Sequence, residues 1–180
     1  MPTYIALLRG INVGGHNLVA MQELRKLCER LGLENVRTLL QSGNVVFESA
    51  SRDAAALEAK LEQETAKRLG VKPAYFVRTA DEWASLVKRN PFPKQAEADP
   101  GHLLAVLMKQ APKAGAVDAL RKAIVGRELV EARGRDAYFV YPDGVGRSKL
   151  TPNLIEKHLG GGGTARNWNT VLKLLAVTRG

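Results

Sequence analysis

The order of apolar segments constrains the fold of this chain most, because a strand–helix–strand–strand–helix order occurs twice. Short apolar runs bounded by turn residues predict strands, and apolar residues at helical spacing predict helices. In the first half the predicted elements are strand 4–8, helix 21–31, strands 36–40 and 45–47 around a turn at 41–44, helix 53–69 and strand 74–77. This order, β-α-β-β-α-β, is typical of ferredoxin-like sandwiches.

The second half repeats the order of elements without a marked repeat of residues. Its predicted elements are helix 81–88, strand 102–108, helix 114–124, strands 128–132 and 138–141, a helix capped by Thr151, a flexible glycine break at 160–163 and helix 168–177. We therefore predict an α+β fold of two tandem ferredoxin-like units with an extra C-terminal helix. Residues 1–80 form the first unit, 81–101 a helix and linker, and 102–180 a second β-α-β-β-α unit with that helix.

Length and composition predict a globular protein with a packed core. The chain has 180 residues, of which 45% are hydrophobic and 25% charged, and a chain of this size buries roughly 70% of its extended surface. The single cysteine, Cys28, cannot form an internal disulfide and lies in an apolar helical stripe. Arg9 interrupts the first apolar run, and the run 103–108 is too short to span a bilayer. We expect a cytoplasmic protein with no membrane partner.

The charge balance favours anionic partners. Lysine and arginine number 27 against 18 acidic residues, which gives a net charge of +9. Such an excess raises the concentration of anions near the surface, so phosphates and nucleic acids are candidate partners.

Two polar segments are predicted to meet at one edge of the first sheet. In the split topology the third strand lies between the first and second, so the end of strand one adjoins the start of strand three. Segments 9–15 and 41–44 are then neighbours, and they combine glycines with arginine, serine, glutamine and asparagine but contain no Asp, Glu, Cys or Lys. Glycine lets backbone N–H groups approach a ligand closely, and polar amides orient it.

The second half offers comparable polar segments. Segment 164–170 leads into the last helix, and a helix start with a nearby arginine favours an anion. Segment 147–149 precedes the helix capped by Thr151. The predicted ligand-binding residues are Arg9, Asn12, Gly14, Gly15, Ser42, Gly43, Asn44, Lys149, Arg166, Asn167 and Asn169. The alternative is that these residues serve only as caps and turns.

Five segments together resemble a known family. They are LRGINVGG at 8–15, VRT at 36–38, QSGNVVF at 41–47, RSKL at 147–150 and TARNWNT at 164–170. In these segments the chain resembles the bacterial domain-of-unknown-function 1697 family over nearly its whole length. The resemblance implies a two-part α+β fold and no agreed activity.

Several catalytic chemistries lack the residues they need. The histidines His16, His102 and His158 fall in unrelated elements without metal-ligand spacing, so we predict no metal site. Ser42 lacks the G-x-S-x-G elbow, and the motifs hold no carboxylate pair. Neither a P-loop nor a G-x-G-x-x-G fingerprint is present. No catalytic residue and no cofactor are predicted, and whether the chain is an enzyme stays open.

RNA-recognition modules share the β-α-β-β-α-β order and stack bases on exposed aromatic residues. Tyr4 and Phe47 are candidates, but the strands of the first half are apolar on both faces, which predicts a sheet covered on both sides. The segment 133–141 matches the aromatic motif of these modules poorly. Three functions remain: binding of an anionic, phosphorylated or nucleotide-like small ligand, nucleic-acid binding along a basic surface, and a scaffold or partner-binding role with purely structural motifs.

Overall fold

The computed structural model describes residues 1–180, which form eight strands, seven α-helices and one short 3₁₀-helix (Pro100–His102). In chain order the elements are β1 (Thr3–Arg9), α1 (Met21–Arg30), β2 (Glu34–Leu39), β3 (Asn44–Glu48), α2 (Ala54–Leu69), β4 (Ala74–Thr79), α3 (Ala80–Lys88), α4 (Pro93–Ala98), β5 (Leu103–Leu107), α5 (Ala116–Ala123), β6 (Leu129–Arg133), β7 (Asp136–Val140), α6 (Pro152–Leu159), β8 (Thr164–Asn167) and α7 (Trp168–Arg179).

The strands form two four-stranded antiparallel sheets with the same strand order. The first sheet runs β2-β3-β1-β4 and the second β6-β7-β5-β8, which confirms two tandem ferredoxin-like units. The chain divides into a first unit, residues 1–85 with 174–180, and a second unit, residues 86–173. The division therefore falls within the C-terminal helix α7. No helix is long and apolar enough to cross a membrane.

Helices α1 and α2 pack on one face of the first sheet because each presents an apolar stripe. Leu24, Leu27 and Cys28 of α1 and Leu57 and Leu61 of α2 join the core beneath them. Sequence also fixes the ends of α2. The carboxylate of its N-cap residue accepts the backbone N–H of Ala56 at 3.0 Å, and the left-handed glycine after its last residue ends it.

Both faces of the first sheet are buried, as the apolar strands predict. Tyr4 and Phe47 stack in the helix-covered core with ring centroids 5.7 Å apart, and on the other face Ile5, Val46 and Phe76 are also buried. Bases therefore cannot stack on this sheet as they do on RNA-recognition modules.

The second unit has a core of the same kind. Val106, Ala137 and Phe139 of its sheet pack with Leu120 of α5 and Leu159 of α6. The three aromatic residues of the segment 138–141 are all buried, and both tyrosine hydroxyls among them donate to backbone carbonyls, those of Leu86 at 2.6 Å and Leu150 at 3.0 Å. These aromatic residues are core residues.

Two elements differ from the sequence prediction. The segment 164–167, where no strand was predicted, is the strand β8, which pairs with β5 so that Thr164 lies opposite Leu107 and Arg166 opposite Ala105. The strand has four residues and no apolar run, so its formation depends on pairing with the neighbouring strand, which local patterns do not reveal. In the predicted linker, residues 93–98 form α4, which a proline at the first position begins.

Candidate functional site

The β1–α1 loop and the β2–β3 turn lie together at one edge of the first sheet, as the strand order predicts. The backbone N–H of Leu8 donates to the carbonyl of Gly43 at 3.0 Å, and the side chain of Asn12 donates to the carbonyl of Gln41 at 2.8 Å. We call residues 9–20 and 40–43 the loop edge. It contains most of the residues of the first half that were predicted to bind a ligand.

Asn12 links the two segments, and both the nitrogen and the oxygen of its side-chain amide form hydrogen bonds. Its Nδ2 donates to the carbonyls of Gln41 at 2.8 Å and Val19 at 2.9 Å, and its Oδ1 accepts the N–H of Val19 at 2.8 Å. Asn12 also has a φ of 55°, a left-handed conformation that asparagine tolerates better than most residues. Both amide hydrogens are committed, so Asn12 positions the loop edge.

Gly43 and Asn44 fix the shape of the β2–β3 turn on its buried side. A Cβ at Gly43 would lie 2.7 Å from Cδ1 of the buried Ile11, and the φ of Gly43 is 87°, so no other residue fits here without a shift. Asn44 is fully buried, and its Nδ2 donates to the carbonyl of Leu39 at 2.6 Å and to Oγ of Ser42 at 3.1 Å. These contacts shape the turn and orient the serine.

Of the predicted ligand-binding residues, those exposed on the loop edge are Arg9, the Gly14-Gly15 pair and Ser42. Gly14 and Gly15 have φ values of 57° and 76°, and their N–H groups make no hydrogen bond within the protein. A Cβ would have open space at Gly15. Adjacent N–H groups in such a conformation form concavities that bind anions, so this pair is the part of the loop edge best suited to a ligand.

Three large apolar side chains are also exposed on the loop edge, and sequence reasoning missed them. Val13 is 65% exposed, Leu18 72% and Leu40 48%. For Val13 and Leu18 the available signal was their place in a loop rich in glycine, asparagine and histidine, where a residue that supports no core has no packing reason to be apolar. Leu40 directly follows Leu39 at the end of a predicted strand and gives no such signal.

In the second unit, Lys149 lies beside a cavity of about 360 Å³ of mixed charge. The carboxylate of Glu128 in its wall accepts the hydroxyl of Ser148 at 2.6 Å. The other wall carboxylate, Asp143, pairs with the Arg127 guanidinium, and this hydrogen bond lowers the pKa of Asp143. Two carboxylates among the lining residues make the cavity a poor match for an anion.

The remaining nominated residues of the second unit belong to β8 and α7. Arg166 is 8% exposed, its guanidinium donates to Oγ1 of Thr164 and to the carbonyl of Ala165, each at 2.8 Å, and burial lowers its pKa to about 10. Oδ1 of Asn167 accepts the N–H of Thr170 at 3.1 Å, which caps α7. Asn169 is exposed in the first turn of α7.

Comparisons with known proteins describe a family and a fold. A model of the family DUF1697, described as a protein of unknown function, matches residues 1–138. A solved structure described as the conserved bacterial protein SP0830 from Streptococcus pneumoniae is similar with a TM-score of 0.71 and 24% sequence identity, and the similarity covers 97% of each chain. No protein with a curated description matches the sequence significantly. At this identity the structural similarity establishes the fold alone.

Proposed function

The chain belongs to the DUF1697 family, and we propose that this member binds an anionic small molecule at the loop edge of its first unit. The observation that supports the proposal is the Gly14-Gly15 pair, whose exposed N–H groups have no partner within the protein. The loop that carries them begins directly after the exposed Arg9. Arginine and backbone N–H groups are the donors that phosphate and carboxylate groups require.

The loop edge is organised before any ligand arrives, which favours binding. Asn12 holds the β1–α1 loop against the β2–β3 turn through three hydrogen bonds. Asn44 donates to Oγ of Ser42 at 3.1 Å and so orients that hydroxyl from below. A site whose groups are already fixed loses less conformational entropy when a ligand binds.

The exposed apolar residues suggest the class of ligand. Val13, Leu18 and Leu40 share the loop edge with the anion donors. A ligand that is anionic at one end and apolar or aromatic at the other would use both kinds of group, and phosphorylated nucleosides have this character. We therefore rank nucleotide-like molecules above inorganic anions. The proposal places the protein in the cytoplasm, in accord with its single, buried cysteine.

The test is a thermal-shift titration at low and moderate salt with inorganic phosphate, sugar phosphates, nucleoside monophosphates and short oligonucleotides. A ligand at 100 times its Kd stabilises the fold by about 2.7 kcal/mol, which raises the Tm by roughly 5–10 °C. We expect Arg9→Gln to weaken binding of the best ligand at least about tenfold, as loss of a charge-assisted hydrogen bond predicts.

Arg52→Gln is the matched control because Arg52 is an exposed arginine of the same unit outside the loop edge. Equal affinities for the Arg9→Gln and Arg52→Gln proteins would remove the site from the loop edge. A shift with oligonucleotides alone that disappears as salt rises would instead indicate nucleic-acid binding through the +9 charge. No shift with any compound would favour the scaffold role.

A further inference from the structure

A second basic site lies in the second unit, and none of its lining residues is among the predicted ligand-binding residues. A cavity of about 410 Å³ lies between the β5–α5 loop and the end of α6. Its basic lining residues are Lys109 and Lys113 from the loop and Lys157 and His158 from the helix, and no carboxylate lines it. The volume falls within the range of small-molecule sites.

The convergence of charge from two segments requires an explanation. Lys157 and His158 stand in the last turn of α6, where the helix dipole favours cations. The helix dipole does not explain Lys109 and Lys113, because they belong to another segment and line the same cavity. Neither Lys113 nor Lys157 has an ion-pair partner within the protein. Lys113 and Lys157 are therefore two like charges on the lining of one cavity that repel each other, and a bound anion offsets that repulsion.

The glycine segment after α6 adds backbone donors to this lysine cavity. Gly160 ends the helix with a φ of 81°, and Gly161 continues with a φ of 67°. The N–H of Gly160 donates to the carbonyl of Glu156 at 2.9 Å, whereas the N–H of Gly161 has no partner within the protein. Gly163 is required for a separate reason, because a Cβ there would lie 2.7 Å from the carbonyl of Leu107. The segment predicted as a flexible break is thus fixed against β5 at one end and lines the cavity at the other.

We propose that the lysine cavity binds a small polyanion with two linked phosphate groups, of the inorganic diphosphate class. Two walls carrying lysines suit an anion with two charged groups better than one with a single group. The site shares no residue with the loop edge, so either proposal can fail while the other stands.

The experiment is a titration of the full-length protein with inorganic diphosphate at about 0.15 M salt, where exposed charges are screened beyond roughly 8 Å. Backbone amide signals are followed by ¹H–¹⁵N NMR, and orthophosphate is titrated in parallel. We expect the Gly161 and Gly162 amides to shift saturably with diphosphate and at least tenfold more weakly with orthophosphate. The Gly14 and Gly15 amides report separately on the loop edge.

The decisive variant is Lys113→Gln with Lys157→Gln, and its matched control is Lys94→Gln with Lys122→Gln, which removes two exposed lysines of the same unit outside the cavity. The first pair is expected to weaken diphosphate binding at least tenfold, while the control pair leaves the affinity within twofold of the original. Equal losses in both pairs, or amide shifts that do not saturate, would overturn the site. Preserved amide dispersion in each variant excludes misfolding as the cause.

Discussion

Arg78 and Arg166 occupy equivalent positions in the last strands of the two units. Arg78 pairs with Ile5 of β1, and Arg166 pairs with Ala105 of β5. The registers correspond because the residues before Ile5 and Ala105 each pair with a phenylalanine of the third strand. Both arginines are buried, at 2% and 8% exposure. Each unit therefore keeps one arginine inside its fold at the same point of the sheet.

Because Arg166 matches a buried arginine of the first unit, we assign it a structural role in the second unit. This role predicts how its replacement affects stability. Its guanidinium bonds Thr164 and the backbone of β8, and hydrogen bonds of charged groups contribute about 1.5–3 kcal/mol each. We expect Arg166→Ala to lower the free energy of unfolding by about 2 kcal/mol in urea titrations. Arg147→Ala, at an exposed arginine of the same unit, should change it by less than about 0.5 kcal/mol. Similar losses for the two variants would contradict this role.

The sequence predicted the arrangement of the loop edge better than the role of each residue in it. Strand order alone brought segments 9–15 and 41–44 together, since a β-α-β-β-α-β chain leaves few ways to order its strands. It could not show that the amides of Asn12 and Asn44 are committed to hydrogen bonds within the protein, because an amide in a loop serves a ligand or a turn equally well.

The strand β8 and the lysine cavity escaped prediction for a related reason. β8 has too few residues and too little apolar character to be seen without its neighbour β5. The lysines of the cavity come from segments more than 40 residues apart, and each segment alone looks like an ordinary solvated surface. Contacts of that range depend on tertiary packing, which periodicity does not encode.

Asn12 should be required for the stability of the loop edge. Replacing it with glycine keeps the positive φ of 55° accessible but removes three hydrogen bonds to the backbone. We expect Asn12→Gly to lower the free energy of unfolding by about 1–3 kcal/mol and to speed hydrogen exchange at the Val19 amide, which Asn12 accepts.

The matched control for this variant is Asn17→Gly. Asn17 is exposed, has a φ of 50° and makes one side-chain hydrogen bond, to the carbonyl of Gly10. An equal loss of stability in the two variants would mean that backbone freedom, and not the Asn12 bonds, sets the effect.

Gly43 should tolerate no side chain, and the reason should be steric as well as conformational. Alanine at Gly43 would combine a φ of 87° with a Cβ 2.7 Å from Ile11, whereas alanine at Gly70, with a φ of 68°, would meet nothing within 4 Å. We expect Gly70→Ala to lose about 1 kcal/mol, from the left-handed conformation alone, and Gly43→Ala to lose about 1–3 kcal/mol more.

A double-mutant cycle separates the two terms at Gly43. Ile11→Ala removes the two Ile11 atoms that a Cβ at Gly43 would meet and leaves Cβ of Leu8, at 3.0 Å, so the double variant should be more stable than the sum of the single losses predicts. Strict additivity would show that the contact with Ile11 contributes nothing.

Cys28 should make the first unit less stable as the solution becomes alkaline. Burial, with a smaller contribution from the nearby charge of Glu29, raises the pKa of its thiol from 9.0 to about 12. Between these values the unfolded chain releases the thiol proton while the folded chain retains it. The contribution of Cys28 is therefore complete below pH 9 and is lost progressively as pH rises toward 12, by at most about 1.4 kcal/mol per pH unit.

The measurement is the free energy of unfolding in urea at several values between pH 8 and pH 10, for the original chain and for Cys28→Ala. The variant loses packing and starts from a lower stability, but its curve should fall less steeply above pH 9 because it has no thiol to ionise. The buried tyrosines Tyr138 and Tyr141, whose pKa values burial raises to about 12, ionise in the unfolded chain about one pH unit later and are present in both proteins. Parallel curves would show that the thiol ionises as readily in the folded chain as in the unfolded one.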